Sequence, residues 1–390
     1  MSSPPEPYLT SKLRGFGTTI FAEMSGIAVA TDSINLGQGF PDTDAPREIL
    51  DAAIAAINGG LNQYPPGPGM PVLRNAIVAH QQRFYGLEYD PDNEVLVTVG
   101  ATEALAGVLL GMLDTGDEVV VFDPMFDSYA PCIAMAGGVI KPVLLRPPNY
   151  TFDPAEFLAA VTPRTKLILL NTPHNPTGRV FTSEEMQCIA DVAIERNLIV
   201  VTDDVYEHLV FDDQRHIAMA SLPGMRERTL GISSGGKTFN TTGWKIGWVC
   251  GPAPLVQAAR TAKQFLTYVG GGPFQPAIAL GLGLPDEFFE GVAKDLQAKR
   301  DRLLPGLVEA GFDVYPTSGT YFVTVDVRPL QPDGDGMAFC RALPHRCRVV
   351  AIPNQVLYAD KAAGRHLVRF AFCKRLEVLD EAVARLRTLG

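Results

Sequence analysis

The sequence predicts an α/β protein: a mostly parallel central sheet buried between helices, followed from about residue 286 by a smaller α+β unit. Three observations carry this. In the middle of the chain, short β-branched runs alternate with helical patterns. Those runs are continuously apolar, as in parallel strands covered on both faces. After Asp286 the order changes to a long charged helix and then short strands.

The strand candidates of the first part are Glu94 to Val99, Glu118 to Phe122, Lys166 to Leu170, Leu198 to Thr202 and Arg228 to Ser233. Between them lie amphipathic stretches such as Thr102 to Leu113 and Ser183 to Arg196, the crossover helices that parallel strands require. The second part offers a helix over Phe288 to Glu309, strands over Thr320 to Val327, Val349 to Ile352 and His366 to Phe372, and a closing helix from Leu376 to Leu386. The first 45 or so residues carry Gly and Pro turns rather than long periodic elements, and read as an arm packed on the rest. The expected division is therefore an arm over 1–45 that contributes to the small domain, a large domain over 46–285 and a small domain over 286–390.

Composition narrows the function. With 46% hydrophobic and 19% charged residues, the chain is globular rather than disordered or fibrous. A formal charge of −10 argues against broad nucleic-acid binding, which needs clustered cations. The longest apolar run, Ala104 to Leu113, is short of the roughly 20 residues that span a bilayer. The start of the chain shows no basic segment followed by an apolar one, so no secretory signal is read there. Six cysteines without a C-x-x-C pair read as reduced thiols in a cytoplasmic protein, and no metal site is indicated. Small molecules are the expected partners.

Ligands of such sheets gather beyond the carboxyl ends of the strands, and several reactive groups stand there. Lys237 lies in Ser233-Ser234-Gly235-Gly236-Lys237, where small neighbours let a ligand approach and crowding keeps an amine partly neutral, as attack on an aldehyde requires. Asp203 and Asp204 follow one strand, with Tyr206 beyond. A carboxylate there can pair with a protonated pyridine nitrogen, and a phenol three residues on can reach the ring's 3-oxygen. Adjacent strand residues face opposite ways, so one Asp serves, and its spacing from Tyr206 selects Asp203. The turn Asn171 to Gly178 offers the Asn175 amide, and His174 in it reads as an ordinary hydrogen-bonded histidine. Gly100-Ala101-Thr102-Glu103 opens a helix whose free N–H groups suit a phosphate, and Phe126 stands where a ring can stack. Each of these alone has a plain structural explanation, namely a surface loop, a helix cap, a turn or a core side chain.

In this order the pieces resemble the class I/II aminotransferases of fold type I. The similarity is greatest to the branch holding kynurenine aminotransferases, cysteine-S-conjugate β-lyases and bacterial N-succinyldiaminopimelate aminotransferases. It rests on Asn35-Leu36-Gly37-Gln38-Gly39-Phe40-Pro41-Asp42, Asn62 to Gly69, Gly100 to Ala104, Asn175-Pro176-Thr177-Gly178, Asp203 with Tyr206, the Lys237 stretch and Arg369. The resemblance implies pyridoxal 5′-phosphate as cofactor, Lys237 as the Schiff-base lysine and proton shuttle, Asp203 as the pyridinium partner, and Asn175 and Tyr206 as donors to the ring oxygen. It implies phosphate contacts from Ala101, Thr102, Ser234, Lys245 and a second subunit's Tyr64, and stacking by Phe126. Lys245 stands where many relatives have Arg, which keeps the charge but loses the fork. For the substrate it implies Arg369 and the Gly39 N–H on the α-carboxylate, with Phe40, Asn175 and Tyr268 nearby, Tyr268 coming from the neighbour of a homodimer.

The implied reaction moves an amino group between an amino acid and 2-oxoglutarate, with N-succinyl-L,L-diaminopimelate the expected donor. A distal carboxylate on that donor needs its own cation, for which Lys12, Arg14 and Lys263 are candidates. The alternatives are a kynurenine, methionine or aromatic aminotransferase, a β-lyase, and, in another class, a non-catalytic cofactor-binding regulatory module. A nicotinamide dehydrogenase is disfavoured because no G-x-G-x-x-G follows a strand and opens a helix.

Overall fold

The computed structural model describes residues 8–17 and 19–389. Among these residues thirteen strands are numbered in chain order. Seven of them, β2 (Val95–Val99), β3 (Glu118–Asp123), β4 (Val139–Leu144), β5 (Thr165–Asn171), β6 (Ile199–Asp203), β7 (Thr229–Ser234) and β8 (Ile246–Cys250), form one sheet in the order β2-β8-β7-β6-β5-β3-β4. Strand β8 is antiparallel to both of its neighbours, and the pairings of β3, β4, β5, β6 and β7 among themselves are all parallel. The five strands read from the sequence are all present, with ends shifted by one residue. Their apolar side chains enter separate clusters on the two faces: Val119, Leu167 and Val201 on one, Val120, Ile168 and Val200 on the other. That two-sided burial explains the unbroken apolar runs.

Two strands of this sheet escape the sequence reading. Strand β4 sits at the sheet edge, with exposed Val139 and a proline, Pro142, inside it. Proline in a strand is tolerated only where its missing N–H faces no partner, so the pattern reads poorly as a strand. Strand β8 lies within the glycine-rich stretch around Lys237 and is fully buried.

The remaining strands are β1 (Ile34–Asn35), β9 (Asp313–Val314), β10 (Phe322–Asp326), β11 (Val349–Val350), β12 (Ile352–Pro353) and β13 (Leu367–Ala371). An antiparallel sheet runs β12-β13-β10-β9, and β1 pairs in parallel with β11. The run Val349 to Ile352, read as one strand, is thus split between two partners. The long helix Asp286–Glu309 and the last helix Leu376–Leu386 pack on this sheet through Leu303, Leu307, Leu379 and Leu386.

The first 45 residues contain two elements that the sequence reading did not give them, the short β1 and the 11-residue helix Ile20–Ala30. Thr19 caps it by accepting from the Ala22 N–H, and Ile20, Met24 and Ala28, spaced four apart, face the core that also holds Leu303 and Val325. Its other positions include Phe21, Ile27 and Val29, so no polar face reveals the period. Among the described residues no helix is long and apolar enough to cross a membrane.

Candidate active site

The carboxyl ends of β2, β3, β5, β6 and β7 open on one cavity of about 220 Å3, and antiparallel β8 begins there. Ala101, Thr102, Phe126, Asn175, Asp203, Tyr206, Ser234, Lys237 and Lys245 all line it. Nine of the ten residues expected to touch a cofactor are thereby brought together. The tenth, Tyr64, is 83% exposed outside the cavity, where it packs edge-on at 6.0 Å against half-exposed Tyr268.

At one end of the cavity, β8 crosses the start of the helix Gly100–Met112 at very short range. A Cβ on Gly247 would lie 2.5 Å from the Gly100 carbonyl carbon, and Gly100 itself takes φ +71. Only glycine meets both demands. Gly247→Ala is expected to cost about 1–3 kcal/mol by overpacking, measured as a shift in urea unfolding. The Ala101 and Thr102 N–H groups stand in the first helical turn, where backbone donors have no intrahelical acceptor. The Lys245 amine lies against Gly100, 3.0 Å from where a Cβ would be. Helix start, ammonium and Ser234 make an anion site.

At the other end stands Asp203. Its Oδ2 accepts from the Tyr129 hydroxyl at 2.6 Å, whereas Oδ1 is buried without a partner. Burial raises its pKa, opposed by the Tyr129 hydrogen bond and by Lys237. Asp204 turns the other way, accepting from the Thr202 hydroxyl and lying 3.7 Å from His216. Behind it the Nε2 atoms of His80 and His208 bond each other at 2.7 Å, and Glu207 accepts from Tyr85 and Ser233. His80, His208 and Glu207 are the one group of possible metal ligands drawn together among the described residues, with the two Nε2 atoms bonded to each other and the Glu207 carboxylate bonded to Tyr85 and Ser233.

Between the two ends, burial depresses the Lys237 amine to about 8. Tyr206 is buried 5.8 Å from that amine, measured to the ring centroid. Asn175 is fixed through its backbone N–H, which donates to Asn171 Oδ1 at 2.7 Å. Asn171 in turn donates to the Asp203 carbonyl at 2.7 Å.

Arg369 arrives from β13, buried, and donates to Asn175 Oδ1 at 2.8 Å and to the Gly37 carbonyl at 3.0 Å, leaving Nε without a partner. Its guanidinium lies 3.8 Å over the Phe322 ring. Gly39 is pressed against Tyr321 and Phe322, so that a Cβ would fall within 2.4 Å of Phe322, and its carbonyl accepts from the Tyr321 hydroxyl at 2.6 Å. Phe40 follows, under the Lys374 amine. His174 is buried and bonded to Thr177. The three proposed distal cations are held elsewhere: Lys12 on the Met135 carbonyl, Arg14 on the Leu9 carbonyl and buried Lys263 on the Tyr268 carbonyl. Tyr129 and Tyr321 were not singled out from the sequence, because each acts through a partner remote along the chain.

A phosphorylated pyridine aldehyde fits this donor set: an anion site at one end, an unpartnered buried carboxylate oxygen at the other, and a partly neutral amine between them. Fold and site define a pyridoxal 5′-phosphate enzyme of fold type I. The chain belongs to the class I and II aminotransferases, whose family profile matches residues 31–386. It is 52% identical to a probable N-succinyldiaminopimelate aminotransferase of Mycobacterium tuberculosis, over 97% of this chain and 98% of that one. It is 40% identical to the methionine aminotransferase of Escherichia coli, over 97% and 98% of the two chains. The solved structure of the M. tuberculosis N-succinyldiaminopimelate aminotransferase superimposes with a TM-score of 0.94, covering 98% of this chain and all of the other. That of the E. coli methionine aminotransferase gives 0.93 at 39% identity, covering 97% and 99%.

Proposed function

We propose that this aminotransferase uses N-succinyl-L,L-diaminopimelate as amino donor and 2-oxoglutarate as acceptor, a step of diaminopimelate and lysine biosynthesis in the cytoplasm. The observation that carries the reading is the 52% identity, nearly end to end, with the M. tuberculosis protein of that name, against 40% for the methionine enzyme and 37% for a Dictyostelium discoideum kynurenine–oxoglutarate transaminase.

When bound, the cofactor supplies an electron sink for the bond at the substrate α-carbon. Lys237 anchors it and moves the proton on and off that carbon, a task for which an amine near neutrality is suited. Asp203, whose Oδ1 has no partner, would keep the ring nitrogen protonated, and Asn175 and Tyr206 would hold the ring oxygen. Ala101, Thr102, Ser234 and Lys245 would hold the phosphate, with Phe126 available to stack on the ring. Arg369, with the Gly39 N–H, grips the substrate α-carboxylate by parallel hydrogen bonds. The division at residues 45 and 285 separates the arm and the Arg369 unit from the unit that carries the cofactor.

The chain is further proposed to act as a homodimer, with Tyr64 and Tyr268 completing the neighbour's site. Their paired exposure outside the cavity, beside exposed Phe265 and Leu61, supports this. Light scattering on active enzyme is expected to give twice the 42.1 kDa chain mass; a single-chain mass would refute it.

A second reading has its own observation. A groove of about 680 Å3 shares Phe126 with the cavity and is walled largely by apolar side chains, among them Phe16, Ile20, Phe21 and Met337. Such a wall favours methionine or an aromatic donor. Initial rates with the succinylated donor, methionine and kynurenine against 2-oxoglutarate decide between the two readings. The first expects the succinylated donor to lead in kcat/KM by at least about tenfold, a margin of about 1.4 kcal/mol. A lead for methionine or kynurenine would transfer the assignment to the second.

A further inference from the structure

Lys237 borders two cavities, and among the described residues it is the only one lining both. The second, about 320 Å3, lies between Pro41 and Thr43, Asn240, one face of the helix Asp286–Glu309, and Tyr321 with Cys373. The Lys237 amine stands between them. It is 5.8 Å from the ring centroid of Tyr206, which lines the first cavity, and 5.7 Å from that of Tyr321, which lines the second. The two rings, one on each cavity, meet edge to face at 5.3 Å.

The second cavity joins the amine to the surface. At its inner end Tyr321 and Cys373 are buried, whereas Thr43, Glu287, Gly291 and Asp295 at its outer end are exposed. Its walls carry groups that water can bond: Asn240 donating to Thr43 at 3.0 Å, and Lys299 paired with Asp295 at 2.6 Å. The volume is enough for several waters, each needing two or more polar partners.

We propose that this cavity is a water-filled second entrance to Lys237, through which the amine exchanges its proton with solvent while the first cavity is occupied. The inference rests on assigning the first cavity to the cofactor. An amine that accepts a proton from carbon becomes an ammonium with three equivalent hydrogens, any of which it can hand on. Burial disfavours its charged form, and a column of water behind it offers the release.

The test uses the full-length cofactor-free protein and pyridoxine 5′-phosphate, which has an alcohol where the cofactor has its aldehyde and so fills the first cavity without bonding to Lys237. Equilibrium dialysis reports its binding. Cyanate then carbamylates neutral amines, and peptide mass spectrometry follows Lys237. In wild type, Lys237 is expected to be labelled at nearly the same rate with and without pyridoxine 5′-phosphate. A Cβ at Gly291 meets nothing within 4 Å, so Gly291→Trp places an indole in the entrance and Gly291→Ala is the matched control. With the first cavity filled, Gly291→Trp is expected to slow labelling about tenfold relative to Gly291→Ala, as loss of access requires. Protection of wild-type Lys237 by pyridoxine 5′-phosphate alone would overturn the second entrance, as would equal rates in the two variants. Failure of pyridoxine 5′-phosphate to bind would instead overturn the assignment of the first cavity.

Discussion

Lys237→Ala is expected to abolish transamination, with kcat/KM falling by about 10³-fold or more, the size of a lost acid–base group that acts at the reacting carbon. Two physical facts make the effect this large. The amine is the one basic group in the cavity that burial brings near neutrality, at about 8. The other lysine in the cavity, Lys245, lies against Gly100 at the anion end, away from the reacting end of the ring. Lys245→Ala is therefore expected to weaken cofactor binding by about 1.5–3 kcal/mol, the worth of one charged hydrogen bond, with turnover largely restored at saturating cofactor. Single-turnover rates and cofactor titrations of the two variants separate these effects. Full turnover in the first with none in the second would mean that the two lysines exchange roles.

Asp203→Asn is expected to keep the fold and lose about 10²- to 10³-fold in activity, the cost of removing one partner from a buried charge pair. The amide retains the shape and the contact with Tyr129, but it cannot hold a proton on the facing ring nitrogen. Asp204→Asn is expected to cost less than about 1 kcal/mol, the net worth of one neutral hydrogen bond. Burial pushes the Asp204 carboxyl well above its ordinary pKa, so the neutral acid is the form an amide mimics best. Parallel assays of the two variants, with unfolding curves as the control, test the assignment. Equal losses would show that the two carboxyls do not divide the work by face.

What was legible in the sequence was local. Asp203 and Tyr206 are three residues apart, Lys237 sits among glycines and serines that follow a strand, and Gly100 opens a helix; in each case the chemistry and its support lie within one turn. What was not legible depends on contacts made far along the chain. The Tyr129 hydroxyl reaches Asp203 across 74 residues, and Arg369 reaches the Gly37 carbonyl across 332. No short pattern encodes either. The helix Ile20–Ala30 was missed because apolar side chains occupy several of its faces, and strand β4 because a proline at a sheet edge resembles a turn. Tyr64 and Tyr268 were named through family resemblance, and nothing in the residues around them announces that role.

The pairing of β1 with β11, and of Leu36 with β13, has a consequence for the order in which a growing chain acquires its parts. Ile34 and Asn35 are among the first strand residues to be made, yet their partners Val349 and Val350 follow more than three hundred residues later. The Leu36 carbonyl likewise waits for the Ala371 N–H, which it accepts at 2.7 Å. The seven-stranded sheet has all of its strands by Cys250, so a nascent chain released at that length already carries the cofactor side of the cavity. It still lacks Arg369 and the strand that tethers the Gly37 to Gly39 segment. Synthesis therefore delivers Lys237 and the Gly100 to Thr102 turn first and Arg369 last. A chain cut short before Arg369 lacks the guanidinium that bonds Asn175 and the Gly37 carbonyl, however well its larger sheet has formed.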